Sequence, residues 1–224
     1  MGGHYERIHF ESTESTNNYV KQHHATLSDH TLVTTGFQSK GRGQRDRNWT
    51  SAPGLNFMGS FYKKTNTVRT HTPMMQGVLT VVKHLDSLGI RAEIKPPNDV
   101  YVSGKKIAGI LAEVIHNNEK HTIIGIGYNV NEPKEAPATS LLNLTGRMHD
   151  LETLTENMTH FMETVETLDF SSLYESYKAR IPFEHIRVSD GTKRLGKLET
   201  IDSDFQCVVA GETFPCERMT FHYE

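Results

Sequence analysis

The run AEIKPPNDVYVSGKKIAGILAEVIHNNEKHTIIGIGYNV, residues 92–130, decides the fold. It breaks into strand-like stretches at 92–95, 100–102, 107–116 and 121–130, rich in β-branched residues and parted by short turn signals, Ser103-Gly104 and Asn117-Asn118. Connections this short join antiparallel neighbours, because a parallel pair needs a crossover of a dozen residues or more. Working outward, residues 31–38 and 55–63 read as two further strands. After Pro73, apolar residues at three- and four-residue spacing (Met75, Val78, Val82, Leu85) run to Gly89 and predict an amphipathic helix that covers one sheet face. A second helix follows Asp150 as N-cap, through Leu151, Leu154, Met158, Phe161, Val165 and Leu168, and a third spans 171–180 before Pro182. From Phe183 the texture changes to short alternating runs separated by Asp190-Gly191, Asp202-Ser203-Asp204 and Gly211-Glu212, the pattern of a small β-barrel of about four or five strands. The expected division is therefore 1–182 for a larger unit and 183–224 for a small β unit.

Composition bounds the function. In 224 residues, 36% are hydrophobic and 23% charged, and no apolar run is long enough to cross a bilayer. The N-terminus has no apolar signal core, and the two cysteines, Cys207 and Cys216, form no Cys-x-x-Cys or Cys/His cluster, so a reduced, cytoplasmic setting is expected. The 13 histidines show no HExxH spacing. A net charge of −3 argues against nucleic-acid binding as the main activity, although an RNA-binding module using the arginine loop is the rival of another class.

Four segments carry chemistry. Gly41-Arg42-Gly43-Gln44-Arg45-Asp46-Arg47-Asn48-Trp49 combines glycines that let backbone approach an anion with forked, permanently charged arginines. Read alone it is equally a solvated basic loop, and Trp49 suggests an ordered end to it. Lys95-Pro96-Pro97-Asn98-Asp99 is a stiff turn that presents polar side chains, and Lys106 leads into the apolar strand Ile107-Ala108-Gly109-Ile110-Leu111-Ala112-Glu113. Gly125-Ile126-Gly127 leaves one strand face bare, which suits either close packing or a flat ligand. Ser15-Thr16-Asn17 precedes a helix and reads first as a cap. Neither a GxGxxG turn before a helix nor a GxxxxGK[ST] loop is present, so a nucleotide would be held in another way.

In this order, Ser15-Thr16-Asn17, Gln38 with the Gly41–Trp49 loop, Lys95-to-Val102, Lys106-to-Glu113 and Gly125-to-Asn131 resemble the biotin protein ligase family, over roughly residues 10 to 132. The resemblance implies an α+β fold: a mixed β-sheet covered by helices, related to class II aminoacyl-tRNA synthetases and lipoate ligases, with a small C-terminal SH3-like β-barrel. It implies an enzyme that makes biotinyl-AMP from biotin and ATP with Mg²⁺ and passes biotin to a lysine of a biotin carboxyl carrier domain. By this resemblance Ser15, Thr16, Asn17, Gln38, Arg42, Gly43, Gln44, Lys106, Gly109 and Gly125 fall at biotin contacts. Arg42, Arg45, Arg47, Trp49, Asn98, Lys106 and Asn129 fall at ATP, and Lys106, Arg42, Arg45 and Asp99 carry the chemistry, with Asp99 the expected metal ligand. The chain departs from the family pattern at Pro96, where a tryptophan is usual, at Gln44, where many members have arginine, and at Asp46, where many have glycine. Closure of the 41–54 loop over a water-sensitive adenylate is expected. Only 14 residues precede Ser15, so no helix-turn-helix repressor domain is expected. The rival within the fold, lipoate or octanoate transfer, lacks its Arg-Arg-x-Ser-Gly-Gly-Gly loop here. Edge strands would permit a homodimer.

Overall fold

The computed structural model describes residues 4–45, 47–65, 69, 71–116 and 120–224. Seven strands form one mixed sheet: β1 (Glu6–Phe10), β2 (Thr31–Thr35), β3 (Phe57–Thr65), β4 (Glu93–Lys95), β5 (Asp99–Val102), β6 (Lys105–His116) and β7 (Lys120–Tyr128), in the order β1-β2-β3-β7-β6-β5-β4. β1 and β2 run parallel, and the other neighbours are antiparallel. The hairpin of β5 and β6 turns on Ser103 and Gly104, both at positive φ (49° and 73°), the geometry of a two-residue turn. The expected Asn117-Asn118 turn lies outside the described residues.

The alternation of β7 assigns its two faces. Ile124, Ile126 and Tyr128 enter the main core, which is covered by α2 (Thr72–Ser87), α4 (Leu151–Glu166) and α5 (Phe170–Lys178). Asp150 caps α4 through Thr153 N at 2.8 Å, and Asp169 caps α5 through Ser172 N at 2.8 Å. On the opposite face α1 (Thr16–His23) packs a smaller cluster of Val20, Val33, Tyr62 and Ile123. Gly125 and Gly127 share that second face by the two-residue period. A short helix, α3 (Leu141–Thr145), follows the sheet.

The C-terminal strands β8 (Ile186–Ser189), β9 (Arg194–Ile201), β10 (Gln206–Val209), β11 (Glu212–Pro215) and β12 (Thr220–Tyr223) form a five-stranded antiparallel sheet in the order β11-β10-β9-β8-β12, in keeping with a small SH3-like barrel. Its buried side, with Ile186, Val188, Leu198 and Phe205, is continuous with the main core through Tyr174 and Tyr177. The Tyr177 hydroxyl donates to Pro97 O at 2.7 Å, so α5 is braced behind the 95–99 turn. Three elements were not expected from the sequence: β1, in which Glu6, Arg7 and His9 are exposed; the single-turn α3; and β12, which closes against β8. Among the described residues no helix is long and apolar enough to cross a membrane.

Candidate active site

A cleft of about 1040 Å³, counting its open mouth, lies on the face that carries Gly125 and Gly127. Its floor is polar. Ser15 caps α1, which brings Thr16 and Asn17 to the sheet, both buried. Gln38 Oε1 accepts from Thr16 N at 2.8 Å, and Ser60 Oγ lies 2.6 Å from Asn17 Oδ1 and 2.7 Å from Thr16 Oγ1. The bare strand face makes this possible: a Cβ at Gly125 would fall 2.3 Å from Asn17 Oδ1, and one at Gly127 would fall 2.4 Å from Trp49 Cε2. The glycines seat a side chain of the protein itself in each case. The Trp49 indole reaches across Gly127 to Gly109, and its buried Nε1 donor has no hydrogen-bond partner among the described residues. Such a donor costs about 1–3 kcal/mol unless an acceptor reaches it.

The arginine loop folds back on itself. Gly43 N donates to Arg47 O at 2.7 Å, Trp49 N donates to Gly41 O at 2.9 Å, and Arg42 bridges Asn48. At Gly41 a Cβ would meet Trp49 O at 2.3 Å, so this close crossing requires glycine. The three arginines then diverge. Arg42 stays at the rim, donating to Asn18 Oδ1 and to Glu113 Oε1, both at 2.6 Å. Arg45, at φ 54°, points away from the floor and donates to Thr220 Oγ1 (3.0 Å), Glu217 O (3.1 Å) and Met219 O (2.6 Å). Its guanidinium, expected on an anion, is instead bound to the segment leading into β12. Arg47 remains exposed at the cleft edge. Asp46 lies outside the described residues.

Opposite the loop, Lys106 Nζ sits 2.6 Å from Asp99 Oδ1 and 6.0 Å from the Trp49 ring centroid. Lys95 lines the same wall; its partial burial lowers the pKa of its ammonium, Asp99 opposes that, and the charges of Lys106 and Arg47 add to it. Burial together with Asp99 pushes the Tyr101 hydroxyl up to about 12, so it stays protonated.

The fold thus gathers Ser15, Thr16, Asn17, Gln38, Arg42, Gly43, Gln44, Arg45, Arg47, Trp49, Asn98, Asp99, Lys106, Gly109 and Gly125 around one cleft. Asn129 stands apart from that lining: it is buried, and its amide donates to Thr139 O at 3.0 Å. Asn98 lines the cleft while its amide is engaged by Ile110 O at 2.7 Å. The sequence names Lys95 and Glu113 within its motifs without a role of their own, and does not mark Ser60 or the Met219–Phe221 stretch. Glu113 had a signal, since it stands two and four residues beyond Leu111 and Gly109 on one strand face; Ser60 had none, because its place opposite Gly125 depends on register. Among the described residues no group of three or more His, Cys, Asp or Glu is placed to hold a metal ion. Asp99 is the carboxylate of the cleft lining, a donor set that suits Mg²⁺ carried largely on phosphates and water.

Comparison with known proteins agrees with this geometry. Residues 9–131 match the biotin/lipoate A/B protein ligase family. The chain is 33% identical to the bifunctional ligase/repressor BirA of Bacillus subtilis over 151 residues, covering 62% of this chain and 46% of that protein. It is 28% identical to the biotin--[acetyl-CoA-carboxylase] ligase of Paracoccus denitrificans over 222 residues, covering 89% of this chain and 92% of that protein. The biotin protein ligase of Aquifex aeolicus, solved in complex with biotin and ATP, superposes with a TM-score of 0.81 at 22% identity, covering 98% of this chain and 99% of that one. The match spans about half the length of the BirA relatives, 46% and 50%. With its motifs on one cleft and more than half its length matched, the chain belongs to the biotin/lipoate A/B protein ligase family.

Proposed function

We propose that the protein is an ATP-dependent biotin protein ligase that forms biotinyl-5′-AMP and transfers biotin to a lysine of a biotin carboxyl carrier domain. The observation that carries this reading is a single cleft with a polar floor at Thr16 and Asn17, backed by the buried Ser60, that opens directly onto Lys106 and the arginine rim. A small ureido ligand needs donors and acceptors at one end, and a reacting carboxylate and phosphate need cations at the other. The complexes of the Aquifex aeolicus relative with biotin and ATP support the same assignment.

In the first step a biotin carboxylate oxygen bonds to the α-phosphorus of ATP and pyrophosphate leaves. One anion approaches another, so charge neutralisation and alignment dominate the barrier. Lys106, which lines the cleft with Arg42 and Arg47 at its rim, is the group proposed to follow the carboxylate and phosphate oxygens. Asp99 would be the residue to hold Mg²⁺, which would supply further positive charge against the phosphates. In the second step a neutral lysine amine of the acceptor attacks the anhydride carbonyl, AMP leaves, and Asp99 is the proposed acceptor of the amine proton.

Incubation with ATP, Mg²⁺ and biotin should yield biotinyl-AMP, and addition of a carrier domain should yield a biotinylated lysine. Activation of lipoate in preference to biotin would replace this reading with the other branch of the family.

A further inference from the structure

Glu113 stands outside the cleft lining, at the far end of the β6 face that carries Gly109 and Leu111. Its side chain is 16% exposed and receives donors from three places. Oε1 accepts from Lys21 Nζ and from Arg42 Nη2, each at 2.6 Å, and Oε2 accepts from Asn17 Nδ2 at 2.8 Å. Arg42 belongs to the rim, Asn17 to the floor, and Lys21 to the first helix. Burial acts to raise the Glu113 carboxyl, but the hydrogen bonds from Lys21 and Asn17 and the charges of Lys21 and Arg42 outweigh it and hold the group below the ordinary glutamate range.

We infer that Glu113 is a positioning residue: one carboxylate that sets Arg42 at the rim and Asn17 in the floor together, so that the anion end and the polar end of the cleft share a single anchor. A guanidinium on a flexible stem gives up several rotors to stay in place, and a buried charged acceptor holds it there. The charge count permits the arrangement to stay attractive to an anion. Two cations meet one carboxylate, which leaves the cluster with one net positive charge at the cleft mouth. Asn17 is held from both ends, by Ser60 on its oxygen and by Glu113 and Leu111 O on its nitrogen, so its orientation is determined.

The inference rests on the ligase reading for the identity of the ligands. The test uses the full chain with Glu113→Gln, which keeps the shape and an acceptor for Asn17 while removing the charge. In biotin-dependent pyrophosphate exchange the variant should show a KM for ATP raised about ten- to hundredfold, the scale of one lost charged hydrogen bond, with kcat changed far less and the melting temperature within a few degrees of wild type. Glu113→Asp should recover part of the loss. Combined with Arg42→Ala, Glu113→Gln should add nothing further to the ATP term, since the anchor then has no rim arginine to hold. An unchanged KM, or fully additive losses in the double variant, overturns the proposal. If the wild type itself shows no biotin-dependent exchange, the ligase reading fails, and the anchor is then read from amide hydrogen exchange across residues 41–49 without ligand. Faster exchange in Glu113→Gln upholds it, and equal exchange overturns it.

Discussion

Lys106 Nζ and Asp99 Oδ1 meet at 2.6 Å across β5 and β6, where a register shift between Val100 and Tyr101 places Tyr101 opposite Lys106. The pair sits in the wall of the cleft with Asp99 mostly buried, so each partner limits where the other can go. Lys106→Ala should therefore have two separable effects. Exchange activity should fall by about a hundred- to a thousandfold, the scale of losing one positioned charge on the transition state. Stability should fall as well, because Asp99 is left without its cation. Adding Asp99→Asn should restore stability in urea titrations and leave activity low; recovery of exchange in the double variant would remove Lys106 from the mechanism.

Gly125 is required for space. A Cβ there meets Asn17 Oδ1 at 2.3 Å, and Asn17 is held by Ser60, Leu111 O and Glu113, so it has no free direction in which to yield. Gly125→Ala should cost about 1–3 kcal/mol in chemical denaturation and sharply weaken biotin binding in calorimetry. Adding Asn17→Ala should recover the stability and leave binding weak.

Arg45 ties the loop to the C-terminal sheet through three acceptors. Arg45→Ala should speed amide exchange across residues 41–49 and destabilise the protein by about 1–2 kcal/mol. Arg45→Lys should recover less than half of the protection, because a single ammonium cannot span acceptors on both Thr220 and the backbone. Protection equal to wild type in Arg45→Ala would show that the loop is ordered without its ties to the C-terminal sheet. In the wild type, ligand addition should slow exchange in the same segment.

His84 gives the fold a predictable acid response. Burial, helped by the charge of His149, lowers its pKa from the ordinary 6.5 to about 4, and its Nδ1 lies 3.1 Å from the Tyr128 hydroxyl in the core. Between pH 6.5 and about 4 the unfolded chain binds this proton and the folded chain does not, so stability falls as pH falls through that window. The interval corresponds to on the order of 3 kcal/mol. His84→Gln should flatten the stability profile over that range; an unchanged slope would show that other groups account for it.

The local features were legible in the sequence because they depend on near neighbours. The two-residue alternation of Ile124, Gly125, Ile126 and Gly127 announced a strand with one bare face, the spacing of Met75, Val78, Val82 and Leu85 announced the helix α2, and Asp150 announced the start of α4. Ser15 read as a cap and is one. Segments whose residues are exposed or few escaped: β1 offers only Ile8 and Phe10 as an apolar alternation among exposed neighbours, and β12 is defined by its pairing with β8.

By itself, then, the sequence determined the central strands and the long helices, the bare strand face and the ordered motifs that mark the family, since each follows from periodicity or spacing within a short window. Only the tertiary structure decided where the charges of those motifs go. Arg42 lies 71 residues from Glu113, and Arg45 lies 174 from Met219. The two arginines are chemically equivalent in the loop, and whether a guanidinium faces a ligand, a carboxylate or a row of carbonyls depends on which distant segment the folded chain brings within hydrogen-bonding reach.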